Sequence, residues 1–424
     1  MTSDAAPGYL SADDCRLADL IDLVSQKTDQ ADYPYAAAVE QNLLIYDGAR
    51  LRKELSGPAG RLRVEAELAR ALLDGPGIVV LAGAFDDPWI VDRATRQFEA
   101  IIATEQVAGG GTGDHFAAAG QNDRIWNALE KLALRAPEVF ADYYASNLIA
   151  AVCRAWLGPG YQVTSTINVV NPGGAAQTAH RDYHLGFASA ERAARFPAHV
   201  HRLSPVLTLQ GAVAHTDMPA ETGPTMYLPH SQKYLPGYLA FHRPEFREYF
   251  EANYVQLPLT KGDAAFFNPA LFHAAGANRT TGVHRMANLL QVSSAFGRAM
   301  EAVDRASMSV ALFPALLAMR DAGAAPAMIA NAIAACAEGY AFPTNLDLDQ
   351  PIDGLAPMTQ ADILGQAVAD SWSQQRLEAE LATWSAHRQS QPPQAQPPQG
   401  QPPQSQPPQG QPPRSQPPPG RAAS

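Results

Sequence analysis

The segment TAHRDYHLGF, residues 178–187, sets His180 and His184 on either side of Asp182. Where cysteines do not cluster, histidine and carboxylate are the side chains left to bind a transition metal. The three cysteines here, Cys15, Cys153 and Cys336, lie far apart. Residues i and i+2 of an extended segment point to one face, so His180 and Asp182 can chelate a single ion. His184, at i+4, shares that face only if the segment runs straight. A third ligand must come from elsewhere, and FFNPALFHAAGANRT supplies His273 just after an apolar run. The combination would be a two-histidine, one-carboxylate facial triad, whose open positions suit non-haem Fe(II) and an oxygen-activating reaction. The triplet H-x-D alone is weak: in a chain with 11 histidines it is expected roughly once by accident. It recurs at His215–Asp217.

Chemistry of this kind also calls for a cation to hold a co-substrate carboxylate. A buried arginine suits, because its planar fork meets a carboxylate with two parallel hydrogen bonds. Arg285 opens the strand-like HRMANLLQVS and shares one face with Ala287, Leu289 and Gln291. Arg279 competes, but the surrounding NRTTG reads as an exposed turn.

The elements that must position these groups are legible in outline. Residues 1 to about 74 read as helical, with Leu62, Ala66, Ala69 and Leu73 at helical spacing before Gly75. GIVVLAGAF (77–85) reads as a buried strand. GGGTGDHF (109–116) lacks the lysine of a phosphate-binding loop and reads as a mobile loop, with His115 more plausible on the surface than at a substrate. From about residue 161 short strands alternate with turns: YQVTSTINVV, PVLTLQGAVA, PTMYLP, YVQLPL, DAAFFNP and HRMANLLQVS. That texture indicates an all-β barrel or sandwich. Helix returns after Met300. From about Gln391 a five-residue Pro/Gln repeat has nothing able to build a core and is expected to stay extended and disordered. The expected organisation is a helical segment at 1–75, a β domain at 76–300, a helical region at 301–388 and a disordered tail at 389–424.

The net charge of −11 and a pI near 5.4 argue against nucleic acid or an anionic membrane as partner. The acidic N-terminus carries no signal-peptide pattern, and no run of 18 apolar residues occurs, so a cytoplasmic location is expected. Nothing in the sequence specifies an oligomeric state.

GIVVL, the NPGG turn ahead of HRD, ETGPTMYLPHSQ, KGDAAFFNPALFHAAGANRT and the Arg285 strand occur in that order. Together they resemble the phytanoyl-CoA dioxygenase family over roughly residues 76 to 295. The resemblance implies a double-stranded β-helix (jelly roll) flanked by helices, with Fe(II), 2-oxoglutarate as co-substrate and O2. It also separates the two H-x-D triplets. In the family the first histidine and the carboxylate follow the second core strand, and the distal histidine comes four strands later. Four strand-like runs lie between Asp182 and His273 but only three follow Asp217. This implies His180, Asp182 and His273 as iron ligands, with His215 structural and His184 near the pocket rather than on the metal. Arg285 would pair with the distal carboxylate of 2-oxoglutarate, and Asn168 would contact the same molecule. Gln177 and Gln210 are candidate pocket residues, although a solvated or core-edge glutamine is the commoner case. One departure is Pro229–His230–Ser231–Gln232, where relatives carry a P-G-S-H type segment. The expected reaction is oxidation, chiefly hydroxylation, of a C–H bond in a small-molecule or acyl substrate, with release of succinate and CO2. The competing readings are a His/Asp-ligated zinc hydrolase, which leaves Arg285 without a role, and a non-catalytic jelly-roll binding protein.

Overall fold

Alternation along one strand decides which way the central sheet faces. In Arg285–Ser293 (β10), Met286, Asn288, Leu290 and Val292 are buried, whereas Ala287, Leu289 and Gln291 are half-buried. A strand with neighbours on both edges shows that pattern when one face packs on a core and the other lines an opening.

The computed structural model describes residues 8–107, 121–351 and 354–388. The other strands are Ala38–Glu40 (β1), Leu43–Asp47 (β2), Ile78–Ala82 (β3), Asn122–Ile125 (β4), Gln162–Val170 (β5), Thr208–Ala214 (β6), Thr225–Leu228 (β7), Ala264–Phe267 (β8) and Phe272–Ala275 (β9). Eight of the ten strands among the described residues form one mixed sheet in the order β1-β2-β3-β8-β6-β10-β5-β4, and β7 pairs with β9 in a second, small sheet. The back of the large sheet presents Val79, Leu81, Val163, Ile167, Leu209, Val213, Phe266 and Leu290 to the main hydrophobic core. Helices from both sequence flanks close that core, including Pro58–Leu73, Asn147–Leu157 and Arg305–Asp321.

Two expectations need correction. The N-terminal 75 residues are not wholly helical: β1 and β2 lie there, and β2 runs parallel to β3. Five residues, LLIYD, are too few to show a period; β1, the hairpin neighbour, is only three residues long, and the other partner, β3, is more than 30 positions away. YVQLPL forms no strand; Val255 and Leu259 make only isolated bridges to Tyr227 and Met218, with Pro258 unable to donate to a ladder. The glycine-rich loop with His115 and the Pro/Gln tail lie outside the described residues. No described helix is long and apolar enough to cross a membrane.

His215 sits in the main core, 1% exposed. The Thr95 hydroxyl donates to the Val91 carbonyl, so the imidazole Nδ1–H donates to Thr95 Oγ1 (2.8 Å) and the Tyr143 hydroxyl donates to Nε2 (2.9 Å). Asn288 Nδ2 reaches both Tyr143 (3.3 Å) and Tyr144 (3.4 Å). This network is satisfied by a neutral ring, and burial, with a smaller contribution from Lys261, pushes the imidazole pKa down to about 3. The unfolded chain takes up the proton below about pH 6.5 while the native state does not. Stability from this group is therefore complete above pH 6.5 and is lost as pH falls toward 3, by up to about 1.4 kcal/mol per pH unit. Urea midpoints between about pH 7 and pH 5 should fall more steeply for the natural protein than for His215→Phe. Equal slopes would refute the assignment.

Candidate metal centre

Residues 177–182 lie against β9 as an extra antiparallel rung. Gln177 N donates to Ala275 O (2.8 Å), His180 N to His273 O (3.0 Å), His273 N to His180 O (3.2 Å) and Asp182 N to Pro269 O (3.0 Å). Directly opposed residues in an antiparallel pair project to the same side. His180 and His273 are such a pair, and their ring centroids are 4.5 Å apart. In the small sheet Tyr227, opposite His273, faces inward with it, while Met226, Leu228, Phe272 and Ala274 pack outward into a separate apolar cluster.

Asp182 completes the group. Its Oδ2 lies 3.4 Å from His273 Nε2 and its Oδ1 3.7 Å from His180 Nε2. One ligand-type atom from each of the three falls within 4.8 Å of the others, a set that could hold a metal ion. Both imidazoles keep Nδ1 at a backbone carbonyl, Thr178 O at 2.8 Å and Leu271 O at 2.9 Å. The Nδ1–H donates there, so each Nε2 carries its lone pair toward the shared centre. His273 Nε2 is buried and has no hydrogen-bond partner among the described residues, and a metal–nitrogen bond is an interaction that satisfies such a lone pair. Burial works to raise the Asp182 carboxyl, but His180, His273 and the Gln210 amide hold it well below the usual carboxylate range. Burial, and the neighbouring His273, lower the His180 pKa. An ionised carboxylate and neutral imidazoles are the forms that ligate.

Gln210 Nε2 donates to Asp182 Oδ2 at 2.5 Å. It comes from β6, on the open face of the large sheet, in register with Gln291 of β10 and thus Thr164 of β5. That face carries Ala287, Leu289 and Gln291 along β10 and Thr166 and Asn168 along β5, and it is the face from which Gln210 reaches the ligand group. Thr166 Oγ1, Asn168 Oδ1 and Gln210 Oε1 are buried there with no hydrogen-bond partner among the described residues. Arg285 lies on the same face at the far end, 6% exposed. Its Nη1 donates to Thr222 O (3.1 Å) and Gly276 O (3.4 Å), and no carboxylate pairs with it among the described residues. Burial lowers its pKa to about 10, with Tyr227 opposing, so it remains a cation at neutral pH. Gly276 follows His273 by three residues, which separates the guanidinium from the ligand group by on the order of 10 Å. Arg279 is exposed, and His284 is exposed with its Nδ1 at Asn171 Oδ1 (2.8 Å).

The family model for phytanoyl-CoA dioxygenase matches residues 73–287, about half of the chain, and that span contains the ligand group and every residue of the sheet face just described except Leu289 and Gln291. The chain belongs to the phytanoyl-CoA dioxygenase family. Members are non-haem iron, 2-oxoglutarate-dependent dioxygenases, and this protein is such an enzyme, with Fe(II), 2-oxoglutarate and O2 as its cofactors and co-substrates. No curated protein matches the chain. Solved structures with local similarity include the epimerase SnoN from nogalamycin biosynthesis (21% identity, TM-score 0.39, covering 56% of this chain and 82% of that one). The carbocyclase SnoK of the same biosynthesis gives 19% identity and a TM-score of 0.37, over 54% of this chain and 83% of its own. AviO1 from Streptomyces viridochromogenes Tue57 gives 18% and 0.38, over 55% and 96%. At such scores the reaction must be argued from this chain's own residues.

One element of this phytanoyl-CoA dioxygenase family member escaped sequence reasoning. Arg181, between His180 and Asp182 on the chain, points the opposite way and is 2% exposed. Its Nη2 donates to Ser231 O (2.6 Å) and Tyr234 O (2.9 Å), and its guanidinium lies over the rings of Tyr238 (5.1 Å) and Phe272 (4.9 Å). The Ser231 hydroxyl in turn accepts from Phe272 N (2.8 Å). The Pro229–Gln232 departure thus anchors both ligand-bearing segments. Gly237 is required for the approach, since a Cβ there would lie 1.9 Å from the Arg181 Cζ. The i, i+2 spacing was the available signal, because it sends residue i+1 into the interior. Arg181→Met should strand two carbonyls and cost about 2–5 kcal/mol in urea unfolding. It should also weaken Co(II) binding by roughly 10–100-fold, with Arg181→Lys recovering part of both.

Beyond Asp182 the backbone reverses through Tyr183 (φ 61°) and His184 (φ 45°), left-handed conformations that cost about 1–3 kcal/mol each. The reversal turns His184 outward: it is exposed and lines a cavity with residues 185–207.

Proposed function

We propose that His180, Asp182 and His273 hold Fe(II), that Arg285 pairs with the distal carboxylate of 2-oxoglutarate, and that Asn168 contacts the same molecule from β5. The protein then oxidises a C–H bond of a small-molecule or acyl substrate, most simply by hydroxylation. The overall balance is R–H + O2 + 2-oxoglutarate → R–OH + succinate + CO2. The observation that carries this reading is the pair of imidazoles with both Nδ1 atoms tied to backbone carbonyls, turning Nε2 toward Asp182 over a sheet face that also carries a buried arginine met by no described carboxylate.

When bound, the iron supplies oxygen activation coupled to decarboxylation of the keto acid. The chain's own residues do the rest. Gln210 orients the Asp182 carboxylate, Arg285 fixes one end of the co-substrate, and the β5 and β10 floor excludes bulk water from beneath it. We read the large sheet and the β7–β9 pair, extended by residues 177–182 and the Val255 bridge, as the two walls of a double-stranded β-helix. Three free, buried cysteines are in keeping with a cytoplasmic location.

Purified protein given Fe(II), ascorbate and carboxyl-labelled 2-oxoglutarate should release labelled CO2 slowly without substrate. His180→Ala should lose that release, and Zn(II) should not support it. Undiminished release from His180→Ala would overturn the ligand assignment.

A further inference from the structure

The segment that joins Asp182 to β6 encloses a hollow of its own. Every residue lining this cavity of about 360 Å³ comes from positions 184–207. That volume falls at the lower end of small-molecule sites, which run from roughly 300 to 1,000 Å³. Leu185, Phe187, Phe196, Val200, Leu203 and Leu207 make the lining mainly apolar. Phe187 is 59% exposed, Leu203 46% and Phe196 38%, although the same segment buries Leu185, Ala193 and Ala198 fully in the fold. Large apolar side chains left in water and gathered round one hollow mark a binding surface.

Two further facts point to what fills it. His184 follows Asp182 by two residues, so the cavity wall begins within about 7 Å of the ligand's Cα. Leu207 directly precedes β6, which carries Gln210 to the same carboxylate. The cavity is thus built from the stretch of chain that leaves one ligand candidate and returns to the strand supporting it. The charge of the segment also departs from that of the chain. Residues 184–207 contain three arginines and one glutamate within a protein of net charge −11. Arg192 lines the cavity, and its guanidinium makes no hydrogen bond or ion pair among the described residues. Ser204, 4% exposed, also lines it, beside Tyr238.

We propose that this cavity seats the substrate, and that the substrate is an amphipathic monocarboxylate: a hydrocarbon or aromatic body in the hollow and an acid group at Arg192. The proposal rests on the iron-site reading above for its catalytic meaning, but its test does not. Equilibrium dialysis of the intact Fe(II)- and 2-oxoglutarate-loaded protein under nitrogen, with labelled dodecanoate, should give saturable 1:1 binding. Dodecanol should bind at least tenfold more weakly. Arg192→Gln should bring dodecanoate down to the level of dodecanol and leave dodecanol unchanged. Leu203→Glu, at a half-exposed position that tolerates a charge, should weaken both probes about tenfold while circular dichroism stays that of the natural protein. Equal binding of acid and alcohol, no saturable binding, or indifference to Leu203→Glu would each overturn the proposal. Dodecanoyl-CoA binding that is tighter and insensitive to Arg192→Gln would overturn it in favour of a thioester. Arg192-dependent binding in a protein that releases no CO2 from 2-oxoglutarate would fault the iron-site reading alone.

Discussion

Asp182→Ala should reduce Fe(II)-dependent decarboxylation of 2-oxoglutarate by at least about 10²-fold, or roughly 2.7 kcal/mol of transition-state free energy. The expectation follows from how the group is held. The carboxylate is the sole anion among the three ligand candidates, and two imidazoles and the Gln210 amide all converge on it. Removing it leaves two neutral donors, which bind a hard divalent ion weakly and leave its charge uncompensated. Asp182→Asn keeps an oxygen near the same place but not the charge, so it should recover little. Gln210→Leu should be milder, weakening Fe(II) binding by roughly 10–100-fold through loss of the 2.5 Å bond that orients the carboxylate. Anaerobic titration of Fe(II) with 2-oxoglutarate, read by the visible charge-transfer band, separates metal loss from slow chemistry. Full activity in Asp182→Ala would remove this residue from the metal.

Arg285→Leu should raise the KM for 2-oxoglutarate by on the order of 10²-fold and change kcat much less, since truncating one partner of a buried charge pair costs about 2–5 kcal/mol. The side chain is buried, keeps its charge, and spends one nitrogen on Thr222 and Gly276 while no described anion meets it. Arg285→Lys retains the charge but not the planar fork, and should fall between the two. If Arg285 were only a prop for the Thr222 and Gly276 carbonyls, thermal stability would fall while KM stayed put. A KM-against-kcat split distinguishes these outcomes.

Local patterns carried much of this site. The i, i+2 spacing of His180 and Asp182, the alternation around Arg285 and the apolar run before His273 are short-range features, and Arg285 opens the strand expected of it, whereas His273 lies on β9, a four-residue strand that the pattern did not announce. What escaped is long-range. Gln210 looked like an ordinary edge glutamine because its bond to Asp182 spans 28 positions. Arg181 reads as a surface cation until Ser231 and Tyr234, 50 or more positions onward, are brought beside it. β2 is five residues long and lies between a three-residue strand and the distant β3, and YVQLPL has strand composition but makes only isolated bridges. The sequence pattern gives the face a residue occupies; it does not give the opposing wall.

The rung between His180 and His273 joins segments more than ninety positions apart. Closing so long a loop is entropically costly and belongs to the slower part of folding. An ion held across that rung would act as a staple on the native state alone, raising stability by RT ln(1 + [L]/Kd), about 2.7 kcal/mol at a hundredfold excess over Kd. Iron supply would then govern how long the protein survives in the cell as well as how fast it turns over.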